Sequence, residues 1–245
     1  VGSEMCIRDR GWNQTAYEGA QKACDKYGCE LAYTENLEAA DISAAFADYA
    51  SAGYDVVIGH GYEFGDPALE VAETYPATKF ICTESDASSD NVASYVMACE
   101  QTAYVEGIIA ASTSESGKLG AIGPIPGDSL VKIINGYEDG AKSVNPDIEV
   151  QTAWTNSFVD TQLAQEAAKA MIENGVDVIK HCANACGNGA IAAAVDADIW
   201  CQGDSYDQSA LAPENILDSA IYNLDVVIDK AIESVVDDSF EGDVY

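Results

Sequence analysis

The sequence predicts an α/β fold made of two lobes, each built on a parallel sheet. Three observations support this prediction. Helix-like and strand-like segments alternate along the 245 residues, as they do in parallel sheets whose strands are joined by helical crossovers. The chain is long enough to form two hydrophobic cores. The segment at 51–72 also resembles the segment at 173–194, which indicates that one structural unit occurs twice.

The two similar segments align without a gap, so that Gly53 matches Gly175. In both, a glycine that stops a helix is followed by an apolar strand, a loop and the start of the next helix. Ligands of open α/β sheets bind at the carboxyl ends of the strands. The loops at 59–65 and 181–187 are therefore predicted to contact a ligand.

The elements follow in order along the chain. Alanines and a tyrosine recur at helical spacing after Asn13 and predict a helix that stops at Gly28. The segment CELAYT then predicts a strand, LEAADISAAFADYASAG a helix, YDVVIG a buried strand, and DPALEVAETYP and KFICTE another helix and strand. Further strands are predicted at KLGAIG, IEVQTAW, DVIKHC and DIWCQG, with helices between them.

Residues 1–10, VGSEMCIRDR, resemble a translated sequencing adapter. We interpret them as foreign to the fold and expect them to pack poorly. Lobe 1 is then predicted to comprise residues 11–97 and 220–245, without its first strand. Lobe 2 is predicted to comprise residues 98–219.

The chain has a formal net charge of −31 at pH 7. The acidic residues are spread along the whole sequence, which suits solvation in a salty environment. Such a surface repels nucleic acids and anionic membranes, so no nucleic-acid partner is predicted. The apolar stretches are all shorter than the roughly 18 residues of a membrane helix.

Sequence support for a metal or catalytic site is weak. His181, Cys182 and Cys186 lie close together, but zinc sites favour two pairs of ligands, and the chain has two histidines. The motif GDSL at 127–130 resembles an esterase nucleophile block, but no histidine follows His181 to act as its base. We therefore predict no catalytic residue, metal or cofactor, and expect the DS pair of this motif to cap a helix.

The chain contains eight cysteines. In an oxidising compartment six of them suffice for three disulfides, whereas in a reducing one they would act as small buried hydrophobic residues. We expect at least one pair to lie close enough to bridge. The candidate pairs are Cys24 with Cys29, Cys82 with Cys99, and Cys182 with Cys201.

Aromatic and polar side chains cluster in the loops that follow predicted strands. Aromatic faces stack on flat rings, and a carboxylate accepts two hydrogen bonds from a vicinal diol. Together they predict a small polar ring compound, with sugar hydroxyls, as the ligand. These residues are Trp12, Asn13, Tyr62, Phe64, Trp154, Asn156, Phe158, Asp160, Asp204, Ser205, Asp207 and Gln208.

Seven blocks, in this order, resemble the basic membrane protein family of substrate-binding receptors of ABC importers. They are GWNQTAYEGAQKA, VIGHGYEFGDPALEVAETYPATKF, YVEGIIAASTSESGKLGAIG, VKIINGYEDGAKSVNPDIEV, TNSFVDT, GVDVIKHCANACGNGAIAAA and GDSYDQS. The best-known members bind purine nucleosides. The resemblance implies the type I periplasmic-binding-protein fold, with two Rossmann-like lobes, three crossover segments and a ligand in the cleft.

The resemblance also implies roles for individual residues. Trp12 would stack on the base, and Asn13 would lie beside it. Ser205 stands where the family has an aspartate suited to ribose hydroxyls, so Asp204 is expected to take that role. The full set of predicted ligand-binding residues is Trp12, Asn13, Gly61, Tyr62, Phe158, Asp160, Asn184, Gly187, Asp204, Ser205 and Asp207.

The function expected from this resemblance is that of an extracytoplasmic solute receptor, not an enzyme. Two lobes would close on a nucleoside-like ligand and deliver it to a permease with its ATPase. The full-length protein is expected to be a monomer in the periplasm or at the cell surface, held by a lipid anchor. Two alternatives stay open: a hydrolase using the same cleft, and the ligand-sensing core of a regulator, which a helix-turn-helix before the first strand would reveal.

Overall fold

The computed structural model describes residues 2–3, 11–35 and 37–245. They form two compact units. The first runs to Met97 and is completed by Asn223–Tyr245, and the second is Ala98–Tyr222. Each unit contains one five-stranded sheet. All pairs between its named strands are parallel, which confirms the predicted α/β class.

Helices and strands alternate along most of the chain. The first unit begins with β1 (Gly2–Ser3), α1 (Trp12–Tyr27), β2 (Thr34–Glu35), α2 (Ile42–Ser51), β3 (Val56–His60), α3 (Gly65–Ala72), β4 (Lys79–Thr83) and β5 (Val92–Tyr95). The second contains α4 (Cys99–Thr113), β6 (Lys118–Gly123), α5 (Asp128–Val144), β7 (Glu149–Trp154), α6 (Thr161–Glu173), β8 (Val178–His181), α7 (Asn188–Ala197), β9 (Trp200–Gly203) and β10 (Ile216–Ser219). The first unit ends with α8 (Leu224–Val236).

Both sheets have the same strand order. It is β2-β1-β3-β4-β5 in the first and β10-β9-β8-β6-β7 in the second. When the strands of each unit are numbered separately, both orders read 2-1-3-4-5, a doubly wound arrangement. The order reverses between β1 and β3 in one sheet and between β6 and β8 in the other. Ligands of such sheets bind at the carboxyl ends of the strands beside this reversal.

The first strand corrects one expectation. Lobe 1 was expected to lack a strand before Gly11, yet the backbone of β1 pairs with β2 and β3. Backbone N–H and C=O groups pair whatever the side chain is, so two extended residues of any type can form such a strand. The predicted strand CELAYT, residues 29–34, is wrong except at its last residue, because β2 comprises only Thr34 and Glu35. The expected poor packing of residues 1–10 concerns side chains outside the described residues.

The two similar segments adopt similar backbones. Gly53 and Gly175 have φ angles of 89° and 90°, in the left-handed region that glycine enters without steric cost. Each glycine precedes a buried strand, and each strand leads into a short 3-10 helix, Tyr62–Phe64 in one unit and Asn184–Gly187 in the other. The structure thus has the predicted succession of helix stop, strand, loop and helix at both places.

Successive side chains of the strands alternate between the two faces of the first sheet, and each face has its own hydrophobic core. Val57 and Phe80 pack against α2 and α3, whereas the next residues, Ile58 and Ile81, pack against α1 and α8. Successive side chains of a strand point to opposite faces, so a strand buried on both faces is apolar throughout. This packing holds the carboxyl ends of β3 and β4, and the residues that follow them, in fixed positions.

Candidate functional site

In the first unit, Trp12 begins α1 and lies against the last residue of β3. Its indole stacks on the His60 imidazole, with ring centroids 5.0 Å apart and an interplanar angle of 17°. Burial lowers the pKa of His60 to about 4, so the imidazole is neutral at pH 7. Its Nδ1 lies 2.9 Å from the Thr83 hydroxyl at the end of β4. The indole is half-buried, and its orientation is fixed at the reversal of strand order.

The other predicted residues of the first unit lie nearby in sequence. Asn13, the second residue of α1, is 5% exposed. Gly61 follows His60 with a φ of 144°, and a Cβ there would lie 2.4 Å from the Glu63 carboxylate. Tyr62 is 56% exposed. The structure thus places Trp12 and Asn13 on α1, and Gly61 and Tyr62 on the loop after β3.

Two predicted residues of the second unit lie in the loop between β7 and α6. Asp160 is the N-cap of α6, and its carboxylate accepts a hydrogen bond from the Gln162 N–H at 3.0 Å. Phe158 is half-buried, and its carbonyl accepts from the Cys186 N–H at 2.9 Å. Asp160 therefore has a helix-capping role in addition to the ligand contact predicted for it.

The loop after β8 carries Asn184 and Gly187. Asn184 is half-buried and has a φ of 50°, a left-handed conformation that asparagine tolerates better than most residues. Gly187 lies against His181, since a Cβ on this glycine would be 1.9 Å from the imidazole Nδ1. A glycine is needed at this position because the ring of His181 fills the space that a side chain would take.

Asp204 follows β9 and is held by two hydroxyl groups. The Ser205 hydroxyl donates to its Oδ2 at 2.8 Å, and the Tyr222 hydroxyl donates to its Oδ1 at 2.9 Å. The Tyr222 N–H also donates to the Ser205 carbonyl at 3.2 Å. An ionised carboxylate has about four acceptor positions, so these two bonds leave one on each oxygen. Asp204 and Ser205 are 5% and 4% exposed.

Asp207 is separate from this group. It is exposed, and its carboxylate accepts a hydrogen bond from the Ser209 N–H at 2.9 Å. Hydrogen bonds from Ser209 hold the pKa of Asp207 below its usual value. This geometry gives Asp207 a turn-stabilising role at the start of the 3-10 helix Ser209–Leu211.

His60 and Tyr222 were absent from the predicted residues, and Gln208 was among the loop side chains but not in the set of ligand-binding residues. His60 supports Trp12, Tyr222 donates to Asp204, and Gln208 accepts from both His181 and the Asp204 N–H. His60 and Gln208 stood within the predicted loop motifs, but a sequence does not show which side chain faces which. Tyr222 comes after β10, a strand that was not predicted.

The structure does not favour a hydrolase site at GDSL. Ser129 lies in the first turn of α5, and both histidines bond elsewhere, His60 with Thr83 and His181 with Gln208. The predicted capping by the DS pair is wrong. Gly127 is the N-cap, in an extended conformation with no side-chain cap bond, which leaves both residues inside the helix.

The described residues show neither a cluster of metal ligands nor a membrane-spanning helix. In that part of the chain, no group of three or more His, Cys, Asp or Glu side chains is arranged to hold a metal ion. No described helix is both long and apolar enough to cross a membrane.

The seven described cysteines are all free thiols, and the candidate pair Cys182–Cys201 is unsuited to bridging. Cys201 pairs with Ile179 in the sheet, and Cys182 lies three residues further along the chain, just after β8, or about 10 Å away. The pair Cys82–Cys99 stays a prediction. Cys24 and Cys29 are close, because the Cys29 N–H donates to the Cys24 carbonyl at 3.0 Å. Burial raises the pKa of Cys24, and the neighbouring Cys29 thiol raises it further.

We predict that Cys24 and Cys29 form a disulfide when the protein matures in an oxidising compartment. Gly28 ends α1 with a φ of 75°, and this cap brings the residues on either side of the turn together. Thiols would be titrated in denaturant with and without prior reduction, and the oxidised protein should show two fewer. Cys29→Ser should remove this difference. Equal counts for the unmutated protein would contradict the prediction.

Comparison with known proteins identifies the family. Residues 3–244 match the family described as PnrA-like ABC transporter substrate-binding proteins, or Bmp. The chain belongs to this family. The resemblance to basic membrane proteins is thereby confirmed.

Two relatives of this chain carry different names. A Haloferax volcanii protein, named provisionally as an ABC transporter glucose-binding protein, is 30% identical over 98% of this chain and 61% of its own length. A Brucella abortus protein named as purine-binding is 32% identical over 87% of this chain and 61% of its own length. The chain thus spans about three fifths of the length of these two relatives.

A solved structure supports the fold of this Bmp chain. An ABC transporter solute-binding protein from Aeropyrum pernix superposes with a TM-score of 0.88 at 26% identity, over 97% of this chain and 70% of the other. The predicted type I periplasmic-binding-protein fold is therefore confirmed.

Proposed function

We propose that this chain is the ligand-binding part of an extracytoplasmic receptor of an ABC importer, and that its ligand is a neutral purine nucleoside. One observation carries the proposal. Trp12 is held flat against the neutral His60 ring at the reversal of strand order in its sheet. An indole fixed in this way is suited to stacking on a flat heterocycle, since base stacking on aromatic side chains tolerates any base.

Asp204 supports the sugar part of the proposal. Its two oxygens each accept one internal hydrogen bond, and the remaining acceptor positions suit the two hydroxyls of a diol. The two relatives are named for purine and for glucose, and a nucleoside contains both a purine and a sugar. Asn13 and Asn184 offer amide groups that can donate to and accept from a base edge.

Charge favours a nucleoside over a nucleotide. The chain has 11 Lys and Arg against 42 Asp and Glu, and the proposed ligand residues include no cation. Lys180, next to His181 in β8, is fully buried and paired with Glu106. Among these residues a phosphate would therefore find no basic partner, and it would meet an acidic surface.

The remaining features of the proposal follow from the family. We propose a receptor without catalytic activity that works as a monomer, closes around its ligand, and delivers it to a permease with its ATPase. Its place is the periplasm or the cell surface, with a lipid anchor in the full-length protein. The proposed ligand residues are the predicted set, in which the Asp160 and Asp207 carboxylates also accept hydrogen bonds from within the protein.

Isothermal titration tests the ligand. Inosine, guanosine, adenosine, their 5′-monophosphates and D-glucose would be titrated into the protein under identical salt conditions. We expect at least one nucleoside to bind, and to bind more tightly than its monophosphate. Tighter binding of a nucleotide would contradict the charge argument. Binding of glucose without any purine nucleoside would replace the nucleoside by a sugar as the ligand.

A further inference from the structure

Gln208 is a buried side chain that joins several strand ends of the second unit. It is 2% exposed, and its amide oxygen accepts two hydrogen bonds. The Asp204 N–H donates to this oxygen at 2.9 Å, and His181 Nε2 lies 2.9 Å from it. A carbonyl oxygen only accepts, so the proton of the neutral imidazole is assigned to Nε2. The long contact from the Ala183 N–H to Nδ1, at 3.5 Å, agrees with this tautomer.

The rest of Gln208 binds two further elements. Its side-chain NH₂ group donates to Asn188 Oδ1 at 3.4 Å, at the start of α7. Its main-chain N–H donates to the Ser219 hydroxyl at 3.1 Å, at the end of β10. The side chain fits closely, since a Cβ on Gly203 would lie 2.9 Å from the Gln208 oxygen. One residue thus connects the ends of β8, β9 and β10 with the first turn of α7.

We propose that Gln208 is a positioning residue of the ligand site: its amide oxygen holds the Asp204 main chain and keeps His181 in the neutral form protonated at Nε2. This inference rests on the proposed function for its effect on ligand affinity. Gln208 need not touch the ligand. It acts through Asp204, whose carboxylate faces the Ser205 and Tyr222 hydroxyls, and through the loop after β8 that begins at His181.

The charges around His181 determine how a substitution at Gln208 changes its ionisation. Burial lowers the pKa of His181, Asp204 acts to raise it, and the neighbouring Lys180 acts to lower it. An uncharged amide oxygen at Gln208 accepts the Nε2 proton without adding a negative charge. A carboxylate at the same place keeps the acceptor but stabilises the imidazolium. Gln208→Glu therefore tests the effect of an added negative charge, and Gln208→Met tests the loss of the hydrogen-bond acceptor.

The first experiment needs no ligand. The two histidines of the chain would be followed by ¹⁵N NMR from pH 6 to 8 in the unmutated protein, with His60→Gln to assign the signals. His181 should remain neutral and protonated at Nε2. Gln208→Met should yield a mixture of tautomers, and Gln208→Glu should raise the His181 pKa into or above this pH range. A His181 signal that is the same in all three proteins would overturn the proposal.

The second experiment measures inosine affinity by titration calorimetry at pH 6 and pH 8. The change in Kd of the unmutated protein between these pH values is the reference, and the two histidines should contribute little to it because burial lowers the pKa of both. Gln208→Met should bind at least about fivefold more weakly, since two buried N–H groups lose their acceptor. Gln208→Glu should bind within about threefold of the unmutated protein at pH 8 and acquire a pH dependence of several-fold.

The matched control is Gln21→Met, at an exposed glutamine on α1 whose amide donates to Asp25 Oδ1 at 3.0 Å. Its affinity should match that of the unmutated protein. A folded Gln208→Met with unchanged inosine affinity would overturn the positioning role. If Gln208→Met does not fold, Gln208→Glu decides, and a pH-independent affinity in that variant would count against the proposal. If the unmutated protein binds no nucleoside, the proposed function fails, and the NMR result still decides the Gln208–His181 contact.

Discussion

Replacing Lys180 by methionine is expected to lower the free energy of unfolding by about 3–5 kcal/mol, the usual result of removing one partner of a buried ion pair. Lys180 Nζ contacts Glu106 Oε2, and the two side chains are only 1% and 4% exposed. Without the ammonium group the Glu106 carboxylate remains buried with no opposite charge. Because small domains are stabilised by about 5–15 kcal/mol in total, this loss should be obvious in urea unfolding followed by circular dichroism at pH 8.

The loss of stability in Lys180→Met should become larger as the pH rises. Burial raises the pKa of Glu106 to about 7 although Lys180 acts to lower it, so removing Lys180 raises this pKa further. Burial alone would lower the pKa of Lys180, but the Glu106 and Asp204 carboxylates raise it, so Lys180 stays protonated. A carboxyl whose pKa is raised on folding stabilises the protein below its unfolded pKa and loses this contribution as the pH rises. The deficit of Lys180→Met should therefore be largest at pH 8 and shrink toward pH 5.

Two control variants separate the ion pair from other effects. Lys180→Met combined with Glu106→Leu should recover most of the lost stability, because both charges are then absent from the interior. Lys26→Met removes an exposed partner of Asp229, whose contact is 2.8 Å, and should change stability little. A Lys180→Met protein as stable as the unmutated one at pH 8 would contradict the role assigned to the pair.

The buried pair also shows what sequence patterns do not reveal. DVIKHC predicts a buried strand, which β8 confirms, but the lysine within it has no partner that the sequence identifies. Glu106 lies 74 positions earlier, on α4. The Gln202 amide adds hydrogen bonds to the Glu106 main-chain carbonyl and the Asp218 carboxylate. Partners that are distant in sequence and meet only in the folded chain produce no periodic signal.

The apolar strands were the most predictable elements. YDVVIG and KFICTE became β3 and β4, because strands buried on both faces are continuously apolar. The strands β5 and β10 were not predicted. β10 reads ILDS, with a carboxylate that bonds to Gln202, and β5 reads VASY. Four residues that include polar ones give too short a pattern to separate a strand from a loop.

The sequence predicts which segments of the chain form the candidate site, but not the hydrogen-bond partners of its residues. The rule that ligands bind at strand ends selects the segments with Trp12 and Asp204 as a prediction. It did not distinguish a ligand contact from a capping side chain, and the Asp160 carboxylate accepts a bond from its own helix. Nor did it identify Tyr222, whose hydroxyl reaches Asp204 from 18 residues away. Hydrogen-bond partners fix these roles, and they depend on side-chain geometry.

Because His60 holds the Trp12 indole in place, removing the indole should weaken ligand binding strongly. Trp12→Ala is expected to weaken inosine binding by about 1–3 kcal/mol, or roughly 5- to 150-fold in Kd, the usual contribution of one base stacked on an aromatic side chain. The His60 ring lies 5.0 Å from the indole and is neutral, so it holds the indole in place without adding a charge. Trp12→Phe keeps a flat aromatic face and should retain most of the affinity.

Trp200→Ala is the matched control for this prediction. Trp200 is 40% exposed and begins β9, at the end of that strand opposite to Asp204, so its removal should leave inosine affinity unchanged. Calorimetric titration of the three variants, with circular dichroism to establish that each is folded, measures the difference. A folded Trp12→Ala protein with the affinity of the unmutated one would show that the indole packs against His60 without stacking on the ligand. A loss common to Trp12→Ala and Trp200→Ala would point to a general effect on stability instead. Weakening confined to Trp12→Ala, with affinity retained in Trp12→Phe, is the result that stacking on a nucleoside base requires.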